Sequence, residues 1–266
     1  MSDKALLVGI NAYPGCPLSG CLNDIGDMAD FLVKKYNFKY SQIRLLADGR
    51  ATTKEILSRL NWLIQVSPGD RVVFHYSGHG AQFAGRGSNE EIDKLNEVIC
   101  PVDFDWTEPH MISDKQFYEI FSHMPKGVRF NWVSDSCHSG DLTKDMPPPG
   151  APVNKARAYP MPIDMAWRVQ TATELKIHSP EHCSITNGIL DVGFISGCRS
   201  NQTSADTVVN GRPCGALTHF LLAHLALMMD KPISEVVRVV NASLSANRYS
   251  QQPQAEGTRA ILPFLQ

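Results

Sequence analysis

Two stretches, VVFHYSGHG (72–80) and VRFNWVSDSCHSG (128–140), share one pattern: an apolar run of strand length that breaks abruptly into glycine and chemically active side chains. Short, continuously apolar runs read as strands buried on both faces, the signature of a parallel sheet covered by helices. In an open sheet of that kind the useful chemistry collects just past the C-terminal strand ends. Here those ends present His79 after the first run and Cys137 after the second, with Gly78, Gly80 and Gly140 allowing sharp exits.

The flanking sequence completes the alternation. Ala5 to Ile10 reads as a first buried strand, and Leu22, Ile25, Ala29 and Leu32 recur at helical spacing after it. Ile56, Leu60, Leu63 and Ile64 mark a second helix capped by Thr52 or Thr53, and Pro68-Gly69-Asp70 is a turn. Val98 to Val102 and Gly193 to Ser196 are shorter apolar stretches, and Ser113 to Phe121 predicts a short helix. Two helices follow near the end, about Gly215 to Met229 and Ser234 to Ala246. Strands alternating with helices give an α/β fold with a mostly parallel central sheet flanked by helices on both faces. Thr143 to Asp164 stands apart: it holds six of the 17 prolines, shows no periodicity, and reads as a long loop.

Composition narrows the function. The 266 residues carry 25 Lys and Arg against 27 Asp and Glu, a net charge of −2 that argues against a nucleic-acid-binding domain. The longest apolar stretch, Phe220 to Met229, contains His224 and is half of what a membrane span needs. An odd count of seven cysteines in a chain of this length fits reduced thiols better than a disulfide framework. A cytoplasmic protein is the expectation.

A cysteine and a histidine on neighbouring strand ends can form a nucleophilic pair, with His79 holding Cys137 near the thiolate form and later protonating a leaving amine. The backbone N–H groups of Gly80 and Cys137 are placed to stabilise a tetrahedral oxyanion. Asp135 lies two residues before Cys137 and Ser77 two before His79, so each shares a face with its catalytic neighbour if the segment is extended. His75 on the same strand face reads as a packed scaffold residue, and Tyr76 and Trp132 as core aromatics. Cys16 and Cys21 lack a second ligand pair at zinc spacing.

The segments HYSGHGAQ (75–82), DSCHSG (135–140), SGCRSNQTSAD (196–206) and GALTHFLL (215–222), with VGINAY (8–13) and GCLND (20–24), resemble the metacaspase and orthocaspase branch of the caspase-like cysteine peptidases. The 58 residues from His79 to Cys137 are close to the ~50 of the caspase signature. The resemblance implies one caspase-like domain over 1–266, with a p20-like part (1–142), a Pro-rich linker (143–164) and a p10-like part (165–266). It implies a monomer that acts on protein or peptide substrates with arginine or lysine at P1. Position by position it carries the family's pocket onto Cys21, Asp24, Ser77 and Asp135, and two carboxylates there would attract a guanidinium and repel a P1 aspartate. Asp135 is expected to be the main anchor.

Lys144, Lys155, Arg157, Arg168 and Lys176 are candidate self-cleavage sites in or beyond the linker. No cofactor is needed for this chemistry. Calcium activates many members of the family, and Asp93, Asp114 and Asp141 or Asp145 are the candidate ligands, although a single Asp114 followed by Lys115 stands where several members have paired aspartates. Two other classes fit less of the sequence: a caspase-fold interaction module without proteolysis, and a zinc hydrolase built on His75, His79 and a carboxylate.

Overall fold

The computed structural model describes residues 2–84, 95–137, 154–174, 191–199 and 202–266. In chain order the elements are β1 (Lys4–Gly9), α1 (Cys21–Tyr36), β2 (Ile43–Ala47), α2 (Thr53–Leu63), β3 (Arg71–Ser77), β4 (Gly80–Ala84), β5 (Leu95–Ile99) and β6 (Ile112–Ser113). They continue with α3 (Asp114–Ser122), β7 (Arg129–Asp135), β8 (Lys155–Ala156), α4 (Ile163–Glu174), β9 (Val192–Ser196), β10 (Ala205–Val209) and β11 (Arg212–Gly215). The chain ends with α5 (Ala216–Leu225), α6 (Ile233–Ala246) and β12 (Gln254–Glu256).

The main sheet has the order β12-β9-β7-β3-β1-β2. Every neighbouring pair is parallel except β12 with β9, so the two apolar runs 72–77 and 129–135 lie side by side at its centre. Period-two alternation sorts their side chains into two cores. Leu6, Val8, Val72, Phe74 and Trp132 pack with Ile56, Leu60 and Leu63 of α2 and Phe117 and Phe121 of α3. Ala5, Leu7, Val73 and Val133 pack with Ile25, Met28 and Leu32 of α1 and with the apolar faces of α5 and α6. Local signals set the helix starts: Thr52 caps α2 by accepting from Glu55 N, and Ser113 caps α3 through a reciprocal pair with Gln116. Two small three-stranded sheets, β11-β10-β8 and β4-β5-β6, flank the C-terminal edge of the main one.

The linker departs from the sequence reading. Lys155–Ala156 forms a strand on β10 and α4 begins at Ile163, so the second half of the segment expected to be irregular is ordered. Neither element shows the apolar contrast that pattern reading uses. Residues 143–153 of the linker lie outside the described residues. Among the described residues no helix is long and apolar enough to cross a membrane, and six cysteines carry free thiols.

His75 faces the α1/α5 side, fully buried, with Nε2 3.4 Å from Thr218 Oγ1. Burial lowers its pKa to about 4. Below pH ~6.5 the unfolded chain takes up a proton at this side chain that the folded chain refuses, so stability is complete above that pH and falls as pH drops toward 4. The full gap is worth roughly 3 kcal/mol at about 1.4 kcal/mol per pH unit. Thermal unfolding of the wild type and His75→Gln from pH 7.5 to 4.5 is expected to show a shallower acid decline in the variant, and parallel curves would refute the assignment.

Candidate active site

Ser77 and Asp135 are the last residues of β3 and β7 and pair directly across the ladder. Period two puts both on the face of Val73 and Val133, which α1 and α5 cover. Two helix N-termini converge there. Asp24 stands in the first turn of α1, and the start of α5 donates Gly215 N to Asp24 (2.8 Å to Oδ1) and Thr218 N to Asp135 Oδ2 (2.9 Å). Positive helix ends stabilise carboxylates, so an acidic pocket can persist under the sheet edge. Asp206 on β10 closes it, its own carboxylate held by Ser19 N and Gly20 N at 2.8 and 2.9 Å.

The pocket is filled by Arg157, from the segment just after β8. Its Nη2 lies 2.8 Å from Asp24 Oδ2 and 3.0 Å from Asp206 Oδ1. Its Nη1 donates to Ser77 Oγ at 2.8 Å and the Asp135 carbonyl at 3.1 Å, and sits 3.2 Å from the Asp135 carboxylate. Ser77 in turn donates to Asp24 (2.7 Å). Asp135 accepts from Ser204 Oγ and Thr218 Oγ1, both at 2.7 Å. The guanidinium and the three carboxylates are essentially excluded from solvent. Burial raises the Asp24 pKa, with Arg157 pulling it back in part, while the surrounding carboxylates hold the Arg157 pKa well above its ordinary value. Gly215 is required here, because a methyl group at that position would overlap both the Asp135 carboxylate and the Arg157 guanidinium.

The main chain of the same segment is clamped as tightly as its side chain. Ala156 and Lys155 pair with Ala205 and Asp206 of β10, and Arg157 N donates to the Ser204 carbonyl at 3.0 Å. The Arg157 carbonyl accepts from Gly80 N at 3.0 Å and from Cys137 N at 3.3 Å. Tyr159 N donates back to the Gly80 carbonyl at 2.9 Å. A peptide bond, Arg157–Ala158, is therefore held with its carbonyl oxygen between two converging backbone donors, the geometry that stabilises a tetrahedral oxyanion.

Cys137 and His79 both neighbour this segment. Cys137 is fully buried and shares a small cluster with Ala158 and Cys198; its Sγ lies 3.9 Å from the Ser204 carbonyl. The hydrogen bond with the Cys137 side chain, and then burial, push the Cys198 thiol well above its usual pKa. The His79 ring is fixed by the Cys16 carbonyl, 2.8 Å from Nε2. A carbonyl only accepts, so Nε2 carries the proton and Nδ1 is the basic nitrogen; Nδ1 is buried without a well-formed hydrogen bond, and the ring lies against the Arg157 main chain. Burial lowers the His79 pKa to about 4, which keeps the imidazole neutral at pH 7. Its backbone is set by a tyrosine pair: Tyr13 Oη accepts from His79 N at 3.1 Å, and Tyr76 Oη donates to the His79 carbonyl at 2.6 Å. Gly78 lies against both hydroxyls, which leave no space for a Cβ.

Of the residues singled out in the sequence, His79, Gly80, Cys137, Asp24, Ser77 and Asp135 converge on Arg157. Cys21 lies beside them, its buried thiol hydrogen-bonded to Ser77 and raised to about 12 by burial. The three carboxylates differ from expectation in weight: Asp24 and Asp206 make the hydrogen bonds to the guanidinium, and the Asp135 side chain is slightly farther. Asp206, Ser204, Thr218 and Tyr13 fall inside the family-like segments without a signal of their own, and the Cys16 carbonyl gives none. Of the calcium candidates, Asp114 begins α3, with its carboxylate accepting from Lys115 N. Asp93, Asp141 and Asp145 lie outside the described residues, as do Lys144 and Lys176. No three His, Cys, Asp or Glu among the described residues form a group that could hold a metal.

The fold has solved counterparts. A crystal structure from Geobacter sulfurreducens superposes with a TM-score of 0.70 at 24% identity, covering 98% of this chain and 96% of its own. Caspase-1 of Spodoptera frugiperda superposes at 0.58 with 13% identity, covering 97% and 88%. At the sequence level, Metacaspase-1 of Kluyveromyces lactis is 31% identical over 99% of this chain and 67% of its own length. Metacaspase-1 of Scheffersomyces stipitis is 32% identical over 94% and 69%. The family model "Metacaspase, peptidase C14 domain" matches residues 3–147. With a caspase-like α/β fold and this likeness along nearly its whole length, the chain belongs to the metacaspase family of cysteine peptidases.

Proposed function

We propose that the protein is an endopeptidase that cleaves after arginine or lysine, and that Arg157–Ala158 is a bond it cuts in itself. One observation carries the reading: a single arginine has its side chain among three carboxylates and its carbonyl oxygen on two backbone donors. A structural ion cluster needs the first arrangement but has no use for the second.

In this reading His79 Nδ1 accepts the Cys137 thiol proton as Sγ attacks the Arg157 carbonyl carbon. The oxyanion forms against Gly80 N and Cys137 N. When the C–N bond breaks, the proton on Nδ1 passes to the departing Ala158 amine, leaving a thioester on Cys137. Water then attacks that thioester, giving its proton to Nδ1, which returns it to sulfur as the Arg157 carboxylate leaves. The low pKa of His79 favours this order over a standing thiolate–imidazolium pair, because the buried imidazole resists charge until the oxyanion develops. Cleavage here divides the chain into p20-like and p10-like parts within the linker. Calcium, if it acts, would do so through Asp93, Asp114 or Asp141 as an activator outside these bond changes.

The test is twofold. Fluorogenic peptides differing only in P1 are expected to be hydrolysed with Arg or Lys and at least about 100-fold more slowly with Asp, the discrimination that an unpaired like charge in a buried pocket produces. Intact-mass analysis of the purified chain, with and without calcium, is expected to show fragments ending at Arg157 and starting at Ala158. Preference for Asp at P1 would overturn the pocket assignment, and a chain that stays whole while cutting peptides would overturn the self-cleavage.

A further inference from the structure

The residue two positions beyond the scissile bond is held as specifically as the arginine. The Tyr159 ring sits among Phe104 (4.9 Å between centroids), His79 (5.6 Å), Tyr13 (5.9 Å) and Trp106 (6.2 Å), each contact edge-on or steeply tilted. Phe104 and Trp106 also pack on each other at 5.0 Å. Edge-to-face contacts in this distance range are the favourable geometry for aromatic pairs. The walls are nearly solvent-excluded and rigid, because Tyr13 belongs to the network that sets His79 and Trp106 holds a left-handed backbone (φ 65°). A bulky side chain keeps that conformation only where its packing demands it.

The register is fixed independently of Tyr159's own side chain. The Arg157 carbonyl on Gly80 N and the Tyr159 N–H on the Gly80 carbonyl bracket Ala158, so any peptide with its P1 carbonyl in place must deliver its P2′ side chain to this box. Ala158 itself is packed against Cys137 and Cys198. We infer that Tyr13, Phe104 and Trp106 form an S2′ subsite that selects aromatic residues at P2′, so that preferred substrates read basic, small, aromatic around the cleaved bond. This rests on the peptidase reading above.

Internally quenched peptides built on residues 154–160, Asn-Lys-Ala-Arg-Ala-X-Pro with X as Tyr, Phe, Leu, Ala or Asp, separate the two. With the full chain, kcat/KM for Tyr and Phe is expected to exceed that for Ala by at least about tenfold, the scale of a buried aromatic contact. In Trp106→Leu and Phe104→Leu the Tyr-to-Ala ratio is expected to fall toward one. A ratio is read because partial loss of folded enzyme leaves it unchanged. Cleavage of all five peptides at one rate, or a preference that survives both substitutions, overturns the subsite while leaving the peptidase standing. No cleavage of any peptide overturns both.

Discussion

Cys137→Ala and Arg157→Ala chains are both expected to remain whole, for opposite reasons and with opposite consequences. Without the thiol there is no nucleophile, and peptide hydrolysis is expected to fall by at least about four orders of magnitude, as removal of a catalytic nucleophile does elsewhere. Arg157 would stay seated in its pocket. Without the guanidinium, the self-bond loses its contacts to Asp24, Asp206, Ser77 and Asp135. Charge-assisted hydrogen bonds contribute about 1.5–3 kcal/mol each, so self-cleavage at residue 157 is expected to slow by at least about 1,000-fold. Yet the same change empties the carboxylate pocket and leaves the segment held by its main chain and Tyr159 alone, so P1-Arg peptides compete with a weaker occupant and the Arg157→Ala chain is expected to hydrolyse them after a shorter lag than the wild type. The covering segment runs along the outside, with Asn154 and Lys155 exposed, so its departure lets water reach the carboxylates and the loss of melting temperature should be modest. Intact mass, progress curves and thermal unfolding of the two variants side by side decide the matter. An Arg157→Ala chain that is inactive on peptides and strongly destabilised, by the roughly 3–5 kcal/mol of an orphaned buried charge cluster, would make Arg157 a structural cation and end the self-substrate reading.

The centre of the sheet was legible because it obeys the hydrophobic pattern. VVFHYS and RFNWVSD are continuous apolar runs, and parallel pairing in register carries Ser77 beside Asp135 and so His79 near Cys137. What the pattern missed is held by other forces. Lys155–Ala156 is a strand because β10 offers backbone partners, and Arg157 is buried because three distant carboxylates neutralise it; neither cause leaves a periodic trace. Helix α4 was hidden for a different reason. Met165 is buried, but Ile163 and Trp167 on the other side are exposed, so no apolar stripe contrasts with a polar one. Asp206 sits on a short hairpin strand whose role depends on a fold-back of some 180 residues to Ser19, Gly20 and Asp24. Tyr13, Phe104 and Trp106 leave no periodic trace of a shared role, and only the presence of Tyr159 between them distinguishes a box from a wall.

The acid side of the pH profile should belong to the pocket, with Asp24 as its controlling group. Burial already raises the Asp24 pKa while Arg157 is bound beside it, and Arg157 is the strongest influence in the opposite direction. Once the self-segment leaves, that opposing charge goes together with part of the burial, while the Asp135 carboxylate still repels, so the Asp24 pKa stays raised in the empty pocket. A protonated Asp24 cannot pair with an incoming guanidinium, so P1-Arg affinity must weaken as pH falls through that value and recover as it rises. With the pocket filled His79 stays neutral down to about pH 4, so it leaves kcat, which reports the enzyme–substrate complex, without an acid limb in this range. The expectation is a KM that climbs as pH falls below neutral while kcat changes far less. Asp24→Asn removes the titrating group: its kcat/KM for P1-Arg peptides should drop by about 30- to 5,000-fold at pH 7, the 2–5 kcal/mol cost of truncating one partner of a buried charge pair, and the remaining activity should be flat in KM across the same range. Asp206→Asn shares the loss of affinity, because Nη2 bonds both carboxylates, but keeps the acid limb. Asp135→Asn should add instability, since an amide nitrogen would face the Thr218 N–H where a carboxylate oxygen now accepts it. An acid limb that persists unchanged in Asp24→Asn, or one that appears in kcat rather than KM, would place the controlling proton elsewhere and remove Asp24 from the recognition of the substrate's charge.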